Sequence, residues 1–215
     1  MWTLLLAAVL GCKDKPAPAP PPTPTPAVAP VPVHSSVDQA ASVGTIEAWD
    51  AAATQLDATV AACTTATPAC RQAARDAVTA HGQALKLEFL SDPGSPLTPV
   101  PLPARAVALI AACDAYAKHA ETTDPELPAI ELIAARQQAS YGWLDLAIPR
   151  YEELLREHRD SDAASLAVAP LLDALRRQGR GADLRRWVDS LRADTKFLTA
   201  HTDLRELVES LHALP

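Results

Sequence analysis

Apolar side chains recur every three or four residues through most of the chain, which is the spacing that one face of an α-helix produces. Over residues 45–63, Ile46 and Trp49 begin such a face, and Thr45 stands where a helix N-cap is expected. The same periodicity predicts further helices over residues 69–90, 104–120, 125–140, 145–158, 162–178, 182–193 and 202–213. We expect Pro170 to kink or break its helix, because proline lacks a backbone N–H and clashes with the preceding turn.

Proline and glycine mark the places where the helical pattern stops. Residues 91–103 contain five prolines and one glycine, so we expect a connector without regular structure there. This connector divides an N-terminal helical hairpin, residues 35–90, from a longer helical region, residues 104–215. Asp124 followed by Pro125 predicts a helix start, with Asp124 as the N-cap and Pro125 at the first helical position.

The composition agrees with a helical protein. Alanine is abundant, glycine is scarce and runs of β-branched residues are absent, so we expect an all-α fold. Residues 35–215 are numerous enough to bury a sizeable core. The formal net charge is −7, and because an acidic chain repels phosphate groups, we expect no nucleic-acid partner.

The first residues of the sequence differ in kind from the rest. Residues 2–10 are apolar apart from Thr3, but this run is far too short to span a bilayer, which takes about 20 apolar residues. The run fits the hydrophobic region of a secretory signal. It leads into the sequence VLGC at residues 9–12, which resembles the lipobox of bacterial lipoproteins: an aliphatic residue, then a small residue immediately before a cysteine.

The resemblance to bacterial lipoproteins implies how the chain is processed and where it resides. Residues 1–11 are then the signal peptide, and Cys12 is the lipidated residue that binds the membrane. Three acyl chains anchor firmly, because each buried CH₂ contributes roughly 0.8 kcal/mol. Lys13 follows the cysteine, which by resemblance directs the protein to the outer membrane of the bacterial cell envelope, facing the periplasm. The alternative is an ordinary apolar start with a buried Cys12.

A proline-rich segment follows the predicted anchor. Residues 16–32 include nine prolines, which favour an extended polyproline II rod over a packed structure. At about 3.1 Å per residue, this segment spans roughly 50 Å. We therefore expect residues 12–34 to be the lipid anchor and a disordered, proline-rich linker that tethers the helical region to the membrane.

Three further cysteines lie in the helical region. Cys63 and Cys70 flank a stretch rich in turn-forming residues between two predicted helices, so we expect them to form a disulfide. A metal pair is the alternative, although no other cysteine or histidine lies close by in the sequence. Cys113 lies within a helical apolar stripe, where it is either a buried free thiol or the site of an intermolecular bridge.

A repeat is visible in the second half of the chain. Ala135 and Ala147 occupy small positions on two successive predicted helices. Gly142 falls in the turn between them, and Tyr151 stands at a large aromatic position. This pattern resembles the tetratricopeptide (TPR) repeat, and Gly179 begins a degenerate second copy. The resemblance implies antiparallel helical hairpins stacked as a TPR-like α-solenoid in the longer helical region, whereas the alternative is a generic helical bundle.

No set of residues in the sequence predicts catalysis. The chain lacks H-E-x-x-H, G-x-S-x-G, S-x-x-K and glycine-rich phosphate-binding loops, and its six histidines are scattered. Glu153 and Glu157 lie one helical turn apart, but Arg150 and Arg156 beside them indicate a solvated, salt-bridged face. We therefore expect a protein that is not an enzyme and has no cofactor, no metal site and no small-molecule substrate.

Candidate partner-binding residues concentrate in the TPR-like half. Tyr141, Trp143 and Trp187 are large aromatic side chains of the kind that anchor protein interfaces. Arg185 and Arg186 belong to a basic cluster, which suits an acidic partner, anionic lipid or cell-wall groups, or else compensates the charge of helix ends. Together these features predict a membrane-anchored envelope lipoprotein that acts as a non-enzymatic scaffold for an envelope protein partner. The alternative is a structural or cell-wall-binding lipoprotein without a specific peptide groove.

Overall fold

The computed structural model describes residues 34–88 and 96–213, so the predictions for the signal peptide, Cys12 and the tether lie outside the described residues. Within these ranges the chain is helical and contains no β-strand, which confirms the predicted all-α class. The helices of the described residues are α1 (His34–Val43), α2 (Ile46–Ala61), α3 (Pro68–Leu87), α4 (Ala104–His119), α5 (Leu127–Ser140), α6 (Leu144–Glu157), α7 (Asp162–Arg177), α8 (Gly181–Ala193), α9 (Thr195–Ala200) and α10 (Thr202–His212).

Side-chain caps explain where several helices begin. The hydroxyl of Thr45 accepts a hydrogen bond from the backbone N–H of Ala48 at 3.3 Å, which confirms the predicted N-cap of α2. A cap satisfies one of the backbone N–H groups that the first turn of a helix leaves unpaired. The same type of cap begins α3 at Thr67, α7 at Ser161 and α9 at Asp194.

The start of α5 differs from its prediction. The helix begins at Leu127 with Glu126 as its N-cap, not at Asp124. Instead, the Asp124 carboxylate holds the preceding loop, because it accepts hydrogen bonds from the Glu126 backbone N–H and from the Tyr116 hydroxyl, both at 3.0 Å. Burial, followed by the bond to Asp124, raises the pKa of Tyr116 above its ordinary value.

Pro170 was expected to kink or break its helix, and the structure shows that it does not break it. Pro170 lies inside α7, which continues without interruption to Arg177. The missing N–H leaves the carbonyl of Leu166 without its helical partner, but Leu166 is exposed, so water can take that place.

The buried side chains form two clusters that meet at α5. One cluster draws on α1 to α5 and includes Leu56 and Tyr116, whereas the other draws on α5 to α10. Helix α5 contributes Ile130 to the first cluster and Leu132 to the second, and it packs against α4, α6 and α7. The core therefore runs continuously past the connector, and α5 is the wall that both clusters share.

The cysteines of the helical region have distinct environments. Cys63 and Cys70 lie at disulfide distance, with Sγ atoms 2.05 Å apart, and they join the end of α2 to the start of α3 as predicted. Cys113 is a free thiol that is almost completely buried. This burial, together with the neighbouring Asp114 carboxylate, raises the pKa of the Cys113 thiol to about 12, so the group stays protonated and unreactive.

Candidate interaction site

Two helix–helix turns in the TPR-like half share one backbone geometry. Gly142, between α5 and α6, has φ +77°, and Gly179, between α7 and α8, has φ +67°. These left-handed values favour glycine, because a Cβ would strain the backbone there. The residues that follow are also alike, since Trp143 has φ −78° and ψ 57° and Arg180 has φ −79° and ψ 56°.

The hydrogen bonds of the two turns repeat in the same way. The Trp143 backbone N–H donates to the carbonyl of Gln138 at 3.0 Å, and the Arg180 N–H donates to that of Leu175 at 2.9 Å. Both bonds satisfy carbonyls that the ends of α5 and α7 leave unpaired, as in a Schellman cap. Each member of one turn stands 37 residues from its counterpart in the other, so the repeat in sequence is also a repeat in local structure.

The helices of the first hairpin approach closely because small residues face each other. Ala135 on α5 and Ala147 on α6 are both fully buried, as the TPR resemblance implies for these positions. Tyr151 fills the core behind them, and its burial raises the pKa of its hydroxyl to about 12. Helix α7 packs against both α5 and α6, so the second hairpin follows the first as its neighbour.

A proline-rich strap, defined here as residues 96–103, lies across the first of these turns. The Val100 N–H donates to the Tyr141 carbonyl at 3.0 Å, and the indole Nε1–H of Trp143 donates to the Val100 carbonyl at 2.8 Å. A Cβ on Gly142 would meet the Pro96 carbonyl oxygen at 2.6 Å. Glycine is therefore needed at this turn for the approach of the strap as well as for its φ.

The strap also contacts the second hairpin. The guanidinium of Arg177, at the end of α7, donates from Nη2 to the Pro96 carbonyl at 2.8 Å. Arg177 Nη1 also lies 3.7 Å from the Asp173 carboxylate, which steadies its position. We refer to Tyr141, Gly142, Trp143 and Arg177 together as the notch, since they form the surface on which the strap rests.

The structure brings two of the predicted partner-binding aromatics together at the notch. Tyr141 is 8% exposed, and Trp143 is 36% exposed with its indole N–H directed at the strap. Trp187 lies on α8, also 8% exposed, and its indole N–H donates to Glu152 of α6 at 2.9 Å. The exposed aromatic surface of this set is therefore that of Trp143.

The predicted basic cluster is largely neutralised by nearby carboxylates. Arg186 lies 3.1 Å from Asp183, and the other cluster members on α7 and α8 have similar partners. Arg185 is exposed and forms no ion pair with any described residue. The cluster thus presents little net positive charge, since only the Arg185 guanidinium lacks a carboxylate partner in the part of the chain that the structure describes.

One titratable group is perturbed in a way that the sequence did not suggest. Glu131 of α5 has a side chain that is 18% exposed, and burial raises its pKa to about 7. The Glu153 carboxylate raises this pKa further and Arg150 opposes the shift, while His158 Nε2 lies 3.7 Å away, too far for a hydrogen bond. An open cavity of about 650 Å³ lies nearby, but Glu131 does not line it, so this carboxyl does not face a substrate-sized space.

Other signs of a chemical site were sought in the described residues. They contain no group of three or more His, Cys, Asp and Glu side chains placed to hold a metal ion. Among helices α1 to α10, none meets the length and apolarity that a bilayer crossing requires. No protein-family model matches the chain, and neither a curated protein nor a solved structure is significantly similar to it.

Proposed function

We propose that this protein is a membrane-anchored envelope lipoprotein whose TPR-like helical domain is a non-enzymatic scaffold for another envelope protein. The observation that carries the proposal is the repeated turn, in which Gly142 and Gly179 and the residues after them adopt matching conformations 37 residues apart. Hairpins that repeat at this spacing bury their faces against neighbours and leave an extended outer surface, which is suited to binding protein segments.

The anchor is the second part of the proposal, and its support is the order of features in the sequence. An apolar run, the lipobox-like VLGC at residues 9–12 and a proline-rich segment precede the helical domain. Acyl chains on Cys12 would hold the domain at the outer membrane, and the tether would extend it into the periplasm.

The scaffold proposal is tested by in-cell crosslinking of the native lipoprotein, followed by capture from detergent-solubilised envelopes and identification of bound proteins. We expect one dominant protein in stoichiometric amount. Recovery of the protein alone, or with peptidoglycan fragments only, would contradict the scaffold. In that case co-sedimentation with purified peptidoglycan, compared between wild type and an Arg185→Glu/Arg186→Glu variant, would test the cell-wall alternative.

The anchor is tested separately by membrane partitioning. Cys12→Ala should release the protein from the membrane fraction, because the acyl chains have no other attachment point in this proposal. Cys113→Ala is a matched control, since Cys113 is buried in the helical domain and its removal should leave partitioning unchanged. Equal partitioning of Cys12→Ala and wild type would refute lipid anchoring while leaving the scaffold proposal open to its own test.

A further inference from the structure

The strap has the backbone chemistry of a polyproline ligand. Four of its eight residues are proline, which favours the extended polyproline II conformation. Val100 stands between two prolines, so it carries the one backbone N–H at the centre of the segment. Both of its backbone groups are engaged, with the N–H on the Tyr141 carbonyl and the carbonyl on the Trp143 indole. Aromatic side chains commonly bind proline-rich segments in grooves of this kind.

The strap rests on the surface and is not part of the core. No side chain from residue 96 to residue 101 is fully buried, and Leu97 is 77% exposed. Leu102, at the far end, packs against the cluster of α1 to α5. The middle of the strap is therefore held by hydrogen bonds and shallow contacts, which is the kind of segment that opens locally at low free energy.

We propose that the notch is a receptor for proline-rich segments and that the strap is its internal ligand. The occupant we infer is a segment of a partner protein in which one hydrophobic residue stands between two prolines, bound through the same two backbone hydrogen bonds after the strap has moved away. This inference rests on the proposed scaffold function, because it names the class of segment that the scaffold binds.

The internal strap also sets a condition on the partner. A segment held in the same chain has a high effective concentration at the notch, so a free peptide competes poorly. A partner that is itself concentrated at the membrane, or that touches a second surface of the domain, competes well. The strap therefore restricts occupancy of the notch to partners that are already in place.

The experiment is a titration of the full chain in detergent micelles, followed through the indole N–H signal of Trp143 by NMR. The probe is a synthetic peptide with the sequence of residues 96–103, and the control peptide has proline at the position of Val100 and so lacks the central N–H. We expect the probe to shift the Trp143 signal and to bind about tenfold more tightly than the control, since one net hydrogen bond is lost.

Strap variants separate the notch from the rest of the surface. Val100→Pro removes the strap's own central N–H, so the probe should bind this variant about tenfold more tightly than wild type. Leu97→Ala is the matched control, because this exposed strap residue forms no contact with the notch. Trp143→Phe keeps a ring but removes the indole donor, so in the Val100→Pro background it should cancel most of the gain, with folding checked by circular dichroism and binding by calorimetry.

Several outcomes would overturn the inference. Absence of probe binding at millimolar concentration to both wild type and Val100→Pro would do so, as would equal affinity for probe and control. The P-V-P sequence also occurs at residues 30–32, and self-association that disappears on Val31→Pro would assign the notch to a second copy of this chain instead of a partner. If Trp143→Phe captured the same envelope protein as wild type, the notch inference would fail while the scaffold function would stand.

Discussion

Replacement of Glu131 by glutamine should change how the stability of the protein depends on pH. The carboxyl has a pKa of about 7 in the folded chain, against an ordinary value of 4.5, chiefly because burial disfavours its charged form. Between these two values the folded state holds more protons than the unfolded state. The free energy of unfolding therefore falls as pH rises from 4.5 to about 7, and this contribution is constant above that range.

The size of the effect follows from the pKa shift and from the surroundings. A shift from 4.5 to about 7 corresponds to at most about 3 kcal/mol at pH 8. Partial solvent access to Glu131 and the nearby charges of Arg150 and His158 reduce this to about 1–2 kcal/mol. Glutamine has nearly the same shape and no charge, so Glu131→Gln should raise the free energy of unfolding by that amount at pH 8 and by little at pH 4.5.

The assay is urea unfolding followed by circular dichroism at pH 4.5, 6, 7 and 8. Glu157→Gln is the matched control, because it removes an exposed carboxyl from α6 and should leave the pH dependence as it is in wild type. If Glu131→Gln and wild type lost stability in parallel between pH 4.5 and 7, the burial of Glu131 would not be the source of the pH dependence and the reasoning would be refuted.

Three further changes should alter stability, each measured by urea unfolding. Gly179→Ala should cost about 1–2 kcal/mol from the positive φ alone, whereas Gly142→Ala should cost clearly more, because its Cβ would also strike the strap at 2.6 Å; equal losses would contradict the position of the strap. Joint replacement of Cys63 and Cys70 by serine should cost about 2–3 kcal/mol and abolish any effect of reductant on the midpoint. Leu171→Ala should cost about 2–5 kcal/mol, since this side chain is fully buried, and a loss below 1 kcal/mol would argue against that core.

Local patterns in the sequence were sufficient for most helices and for the cysteine pair. The spacing of Ile46 and Trp49 and the position of Thr45 identify α2 without knowledge of its neighbours, because periodicity and caps act over a few residues. The prediction for Pro170 failed because the severity of a helical proline depends on whether the freed carbonyl reaches water, which the sequence alone does not show. The six-residue helix α9 is too short to produce a recognisable period.

The notch could be predicted only in part. The aromatic residues Tyr141 and Trp143 stand out in a chain that is poor in aromatics, but their contact with the strap joins residues more than forty positions apart through backbone groups. Backbone hydrogen bonds between a proline-rich connector and a helix turn leave no side-chain pattern in the sequence. The raised pKa of Glu131 is similar in origin, since it depends on which helices cover the carboxyl.

The position of α5 between the two buried clusters has a consequence for the cooperativity of folding. Neither cluster can lose α5 without exposing its own apolar surface, so each half stabilises the other through this helix. The helical domain should therefore unfold as one cooperative unit rather than as two foldons in succession. Trp49 belongs to one cluster and Trp187 to the other, and these two indoles should report a single shared transition. A lesion in α5 would then loosen both ends of the domain at once.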